Sequence, residues 1–293
     1  MSILVLSAVR TPLGAFGGAL RNVDAVTLGS LAIRQALSQH AGLDIAEVFL
    51  GCAFPAGLGP HPARQAIQAA GLSCPAWTLN QAEGGGFASV MLACRALQKP
   101  TPSFALAGSF ESPSNVPYLL PTARWGHRMG ETELLDGLIQ DGPHSVKPME
   151  PATGNARLPL PPGAFAMDIP DRKGMHRLDG DEVDDRNGDG DGCADGAAAL
   201  LLASEAALTS IHAPILGRIC GWSTEPPDVA LSALKERSES HTIHVWEPVS
   251  YAPAGGGPLL VDRLHALSKM DRRFGFTSIA TGDDTWISLL LEH

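Results

Sequence analysis

Ala76-Trp77-Thr78-Leu79-Asn80-Gln81-Ala82-Glu83-Gly84-Gly85-Gly86-Phe87-Ala88-Ser89-Val90-Met91-Leu92-Ala93-Cys94-Arg95-Ala96-Leu97 decides the fold. Ala76 to Asn80 reads as a short strand, and Phe87, Val90, Met91, Cys94 and Leu97 then recur at helical spacing. The glycines at 84 to 86 make a tight strand-to-helix turn. They lack the G-x-G-x-x-G spacing and the acidic residue downstream that a dinucleotide site needs. The same grammar extends on both sides. Ile3 to Ala8 is an apolar run ended by Arg10-Thr11-Pro12, Asp24 precedes Leu28, Leu31, Ala32, Ala36 and Leu37 at helical spacing, and Gly42 follows. Strands near Glu47 to Phe54 and Ser103 to Ala107, and a helix over Pro62 to Ala70, continue an alternation that predicts parallel pairing in a covered sheet.

From Pro143 to Pro170 the prolines at 143, 148, 151, 159, 161, 162 and 170 are expected to break any ladder or helix. An acidic, glycine-punctuated stretch follows to Gly196. Ala197 to Ala203 and Ile215 to Ile219 then read as buried strands around a short helix, with Gly275 to Thr281 and Trp286 to Leu291 as a closing strand pair. The expected division is 1–142, a linker over 143–178, and an abbreviated second half over 179–293.

The 293 residues are 44% apolar and 18% charged, enough for a large core. A net charge of −10, with no Lys/Arg-rich run, argues against nucleic acid. No segment approaches about 18 continuous apolar residues, and MSILVLSAVR has no basic start, so a cytoplasmic protein without membrane contact is expected. Cys52, Cys74, Cys94, Cys193 and Cys220 include no C-x-x-C pair and are read as reduced.

P-loop, G-x-S-x-G and H-E-x-x-H motifs are absent, and the scattered histidines suggest no metal site. His241 and His244 are three apart, but on what reads as extended chain. Asp185, Asn187, Asp189 and Asp191 match the first part of a calcium loop, yet its twelfth position, normally a bidentate Glu, is Gly196. A solvated acidic turn is the better reading, and calcium the weaker alternative.

Ser7-Ala-Val-Arg-Thr-Pro, Gly14-Ala-Phe-Gly-Gly, Pro55-Ala-Gly-Leu-Gly-Pro-His-Pro-Ala-Arg-Gln-Ala, Ala107-Gly-Ser-Phe-Glu-Ser, Ser114-Asn-Val-Pro-Tyr-Leu-Leu-Pro and Arg124-Trp-Gly-His-Arg-Met-Gly are distinctive stretches. Together they resemble the thiolase family of the acyl-CoA acetyltransferase type. Gly192-Cys-Ala-Asp-Gly-Ala-Ala-Ala and Gly217-Arg-Ile-Cys-Gly-Trp resume the likeness after a gap. The resemblance implies a duplicated, layered αβαβα fold with two parallel-rich sheets around helices, here with a shortened loop domain and a trimmed C-terminal half. It also implies pairing through the N-terminal half, near His61–Ala70 and Asn80–Ser89.

The departures bear on function. Where a thiolase carries its nucleophilic cysteine stands Glu83, and Gly256-Gly257-Pro258 is the nearest match to the Gly-His-Pro base motif, so Gly257 replaces the imidazole. Ala280-Thr281-Gly282-Asp283-Asp284 occupies the stretch of the second cysteine and its glycines, which puts Ala280 and Gly282 at former active-site positions. Something like Pro248-Val249-Ser250-Tyr251 stands for the Asn-Glu-Ala-Phe motif. Coenzyme A is the cofactor the family implies, but the loop domain that holds much of it is replaced by the proline-rich stretch, so no cofactor is expected.

Glu83 itself has two readings. As a cap it meets the free N–H groups and positive end of a helix, worth about 0.3–1 kcal/mol. As a working group, burial lifts its pKa and makes it a general base, although no partner is evident beyond His61 and His127, whose segments in thiolases run near the subunit contact or pocket mouth. The leading expectation is therefore a silent thiolase-like protein that acts as a homodimer or as the partner of a thiolase-like subunit. The alternatives are an acyl-CoA thioester enzyme using Glu83 as base, and a calcium-responsive module.

Overall fold

The computed structural model describes residues 2–101, 103–142, 165, 167–171, 174–178, 194–210, 214–238, 242–250, 252–270, 272–282 and 285–293. Its elements in the N-terminal half are β1 (Ile3–Arg10), β2 (Gly14–Ala15), α1 (Ala25–Leu37), β3 (Ile45–Gly51), α2 (Pro62–Ala69), β4 (Ala76–Leu79), α3 (Gly85–Leu97), β5 (Phe104–Glu111), β6 (Tyr118–Leu119), β7 (Leu135–Asp136) and α4 (Gly137–Gln140). Then come β8 (Met167–Asp171), β9 (Gly174–Leu178), β10 (Ala194–Ala203), β11 (Gly217–Ser223), α5 (Pro227–Ser238), β12 (His244–Val245), α6 (Gly257–Lys269), β13 (Phe274–Gly282) and β14 (Thr285–Glu292).

Local chemistry explains the best-defined boundaries. Asp24 caps α1 by accepting from the Thr27 amide at 2.9 Å, and α2 starts on Pro62, whose missing N–H costs a first turn nothing. Almost every residue of α3 is buried, which marks a helix enclosed on all sides.

The strands join in the order β12-β13-β14-β11-β1-β10-β5-β3-β4. Parallel pairing holds β3 to β4 and β5, and β12 to β13, whereas β10 runs antiparallel to both β1 and β5. The expectation of mainly parallel pairing is thus corrected. β13 and β14, two residues apart in the chain, pair antiparallel, and β10 is more than eighty residues beyond its neighbour β5. Nor are there two separate sheets, because β1 pairs with β11 through Ile3–Val5 and joins the halves.

Side-chain alternation still builds the expected layers. Leu4, Leu6, Val48, Leu50, Leu106 and Phe110 face α1 and α2, while Ile3, Val5, Ala105, Ala107 and Leu200 face the opposite way. There they share one core with Phe87, Val90 and Cys94 of α3, Leu260 and Leu264 of α6, and Ile279, Ile287, Leu289 and Leu291 of the second half. Phe274, Phe276 and Leu290 turn outward against Ala230 and Leu234 of α5. Helices, strands, α3 with α6, strands and α5 therefore stack in that order, a mixed α/β fold with the layering the sequence implied.

Of the proline-rich stretch, 143–164 lies outside the described residues. Its end departs from expectation, since Pro170 sits within the β8–β9 ladder opposite Met175. A two-stranded ladder has only edges, where a residue without an N–H is tolerated.

Candidate functional site

The C-terminal ends of β3 and β5 and the N-terminus of α3 converge, as expected of ligand sites on parallel strands. The three glycines make the convergence fit. A Cβ on Gly86 would stand 2.6 Å from Gly257 Cα, one on Gly85 3.1 Å from Gly51 Cα, and one on Gly84 would collide with Thr281 Cγ2. They serve close backbone approach between α3, β3, β13 and α6, not a phosphate.

Where these elements meet lies a cavity of about 30 Å³ lined by Ala53, Phe54, Glu83, Glu111, Asp141 and Ala254, among others. That volume suffices for a water or two. Ala82 (φ 43°) and Ala254 (φ 50°), both on its wall, hold left-handed backbone that alanine rarely adopts.

Two carboxyls dominate the cavity. Glu111, only 3% exposed at the end of β5, accepts from the amides of Ala53 at 2.5 Å and Phe54 at 3.3 Å. Burial pushes it up to about 8; the two amides pull down and the charge of Glu83 adds to the rise. Glu83 is likewise raised by burial, against a hydrogen bond from its own backbone amide, and its Oε1 is buried without any partner. Behind them Asp195 accepts from Ser114 Oγ at 2.6 Å and the Ser114 amide at 3.0 Å, while burial lifts it to about 6.

The capping expectation for Glu83 is corrected here. Gly84 is the N-cap of α3 and no side chain bonds to the helix start. With its backbone in the turn before the cap, Glu83 directs its carboxyl into the cavity instead. Gly257 opens α6 with its amide donating to Ser109 Oγ at 3.0 Å, and Ala280 is held in the β13–β14 ladder opposite Trp286. Gly282 pairs with Thr285 at the end of that hairpin. Of Glu83, Gly257, Ala280 and Gly282, Glu83 is the one on the cavity wall.

His61 is exposed at the N-cap of α2, and His127, also exposed, bonds the Glu131 carbonyl at 3.0 Å, so neither supplies Glu83 with a partner. Glu111 shares the cavity wall with Glu83 and feels its charge, and sequence reading missed it, although it lies within the quoted Ala107-Gly-Ser-Phe-Glu-Ser. A buried carboxyl at the end of an otherwise apolar strand was the available signal.

Cys52 approaches the cavity, its Sγ 4.0 Å from Glu111 Oε2, but burial and then the Glu111 charge push its thiol far above the usual range. It is therefore a protonated thiol beside a carboxyl, not a thiolate beside an imidazole. Cys94 is buried in the core and Cys74 and Cys220 partly so, all unpaired. Cys193 lies outside the described residues, as do Asp185, Asn187, Asp189 and Asp191. Among the described residues there is no group of three or more His, Cys, Asp or Glu that could hold a metal. His265 lines a separate groove of about 370 Å³ and bonds the Ala8 carbonyl.

A family model described as the N-terminal domain of thiolase matches residues 3–157. The acetyl-CoA acetyltransferase of Schizosaccharomyces pombe is 40% identical over 144 residues, 48% of this chain and 36% of that protein. Those of Cupriavidus necator (41% over 145 residues, 48% and 37%) and Escherichia coli (39% over 146, 47% and 36%) are similar to the same extent. The chain thus spans little more than a third of the length of the curated relatives it matches.

Proposed function

Because this chain belongs to the thiolase family, we propose that it is a member without acyl-transfer activity, acting by association with a second copy or with another thiolase-like subunit. The observation that carries the reading is the carboxyl pair, Glu83 with Glu111, on the wall of the cavity. Acyl transfer from a thioester uses a soft, easily expelled nucleophile, and a carboxylate would give a mixed anhydride. Condensation also develops enolate charge, which a fixed carboxylate repels. Loss of a nucleophile or its base alone can cost on the order of 10⁶ in rate.

The N-terminal half supports association. Among the described residues β4 ends the sheet with one edge unpaired, and Trp77 on it is about half exposed. Trp125 (85% exposed), Met129 (90%), Tyr118 and Leu134 present large apolar surface between β6 and β7. Among the described residues no helix is long and apolar enough to cross a membrane. We place the protein's work in the cytoplasm, with no cofactor of its own.

Purified protein is expected to show no acetyl transfer between acetyl-CoA molecules, no rise in melting temperature with coenzyme A, and a dimeric or larger mass by light scattering. A strictly monomeric chain that captures no thiolase-like subunit overturns the association. A transfer rate abolished by Glu83→Gln overturns the loss of activity.

One observation favours a second reading. The raised carboxyl of Glu83, with Oε1 unpartnered, is poised as a general base for thioester hydrolysis or decarboxylation. Equal background rates for the parent and Glu83→Gln on a panel of acyl-CoA thioesters would end that reading.

A further inference from the structure

Among the described residues the cavity gathers acids and no cation to balance them. From the turn before α3 comes Glu83, from the end of β5 Glu111, and from the segment after α4 Asp141. Cys52 follows β3 and abuts Glu111, and Asp195 of β10 stands behind, engaged by Ser112 and Ser114. The loop before α6 contributes Ala252, Ala254 and Gly255, and among the described residues no lysine, arginine or histidine lines the wall. A buried carboxyl, Glu111, and a half-buried one, Glu83, that line one small cavity cannot both ionise cheaply when no cation stands among the described lining residues.

Their mountings differ. Glu111 is fixed in the β-sheet, opposite Gly196, and clipped by the Ala53 and Phe54 amides. Glu83 sits on a turn whose neighbours Asn80 and Gln81 are exposed, whose Ala82 is already in left-handed backbone, and whose Oε1 has no bond to lose. The charge that must leave is therefore the one on the turn.

We propose that Glu83 and Glu111 form a proton-held latch: with the turn seated, the cavity they share keeps one of the two carboxyls protonated, and loss of that proton expels Glu83 and opens the Gln81–Gly84 turn. The proton passes to solvent and no bond other than O–H is broken. Because the turn follows β4, the sheet edge that the association reading uses, opening it weakens self-association. That consequence rests on the proposed function; the latch does not.

The sign follows from Glu111. Burial first, and the charge of Glu83 last, lift Glu111 from 4.5 to about 8 on folding, so the folded form loses stability as pH rises between those values, and the share due to Glu83 is the part that opening the turn relieves. The experiment is hydrogen exchange, corrected for intrinsic rates, with melting curves, on the parent, Glu83→Gln and Glu111→Gln from pH 5.5 to 9. In the parent, protection of amides 81–86 is expected to fall at least about ten-fold between pH 6 and pH 9, one pK unit or more of linkage. Glu83→Gln should keep the turn protected at pH 9, and Glu111→Gln should flatten the melting temperature across the range. Should Glu111→Gln not fold, the parent and Glu83→Gln decide alone.

Equal protection in the parent at pH 6 and pH 9 overturns the latch. So does an opening that persists in Glu83→Gln. Light scattering at both pH values separates the two ideas: a chain monomeric at both whose turn still opens sinks association and leaves the latch, whereas a dimer at both with a closed turn does the reverse.

Discussion

Gly86→Val is expected to destabilise the protein by about 3 kcal/mol or more, the upper end for overpacking a tight contact. A Cβ at Gly86 would stand 2.6 Å from Gly257 Cα and 2.9 Å from the Gly255 carbonyl oxygen. Everything it meets is backbone, so no side chain can swing aside. Relief requires α3 and α6 to separate, and these helices share the central core with strands from both halves. Denaturant unfolding measures the loss, with Arg95→Ala, an exposed position on the same helix, expected within about 0.5 kcal/mol of the parent. A Gly86→Val protein as stable as Arg95→Ala would mean that the helix starts do not cross as described. The cavity should widen before the fold is lost, because Gly255 lies both on its wall and against Gly86.

Local pattern carried the N-terminal half well. β1, α1, α2, β4 and α3 follow from apolar periodicity, an Asp cap, a proline at a first turn and the glycine turn, all signals within a few residues of what they specify. Strand direction was less legible. β10 pairs across the sheet from residues far away in the chain, and no pattern inside Ala194–Ala203 tells which way it runs. α5 was not read because its exposed face dominates, with Ala230 and Leu234 as its fully buried contacts. α6 opens on three glycines and a proline that read as a turn. At the site, Glu83 was found because a motif placed it, whereas Glu111 was not, since a carboxyl that closes a strand by accepting two amides of a neighbouring loop is a tertiary fact. Its burial then reversed the capping role given to Glu83.

Phe110→Ala is expected to cost about 3–5 kcal/mol, in the range for emptying a fully buried aromatic site. The ring is wholly inaccessible on β5 and lies under α1 at Gly29, where a Cβ would come within 3.1 Å of its Cγ. Glycine at that turn of α1 lets helix and ring approach, and alanine at 110 leaves a hole that neither β5 nor α1 can close without breaking its pairing. In calorimetry the midpoint should drop by roughly 10 °C. The next residue along is Glu111, so a shift of β5 also disturbs the clip to Ala53 and Phe54; those amides hold the Glu111 pKa down, so their loss moves the fall in turn protection to a higher pH. Association is expected to weaken with it, since β4 reaches the rest of the sheet through β3 and β5. A Phe110→Ala protein less than about 1 kcal/mol below the parent would refute the packing of α1 on β5.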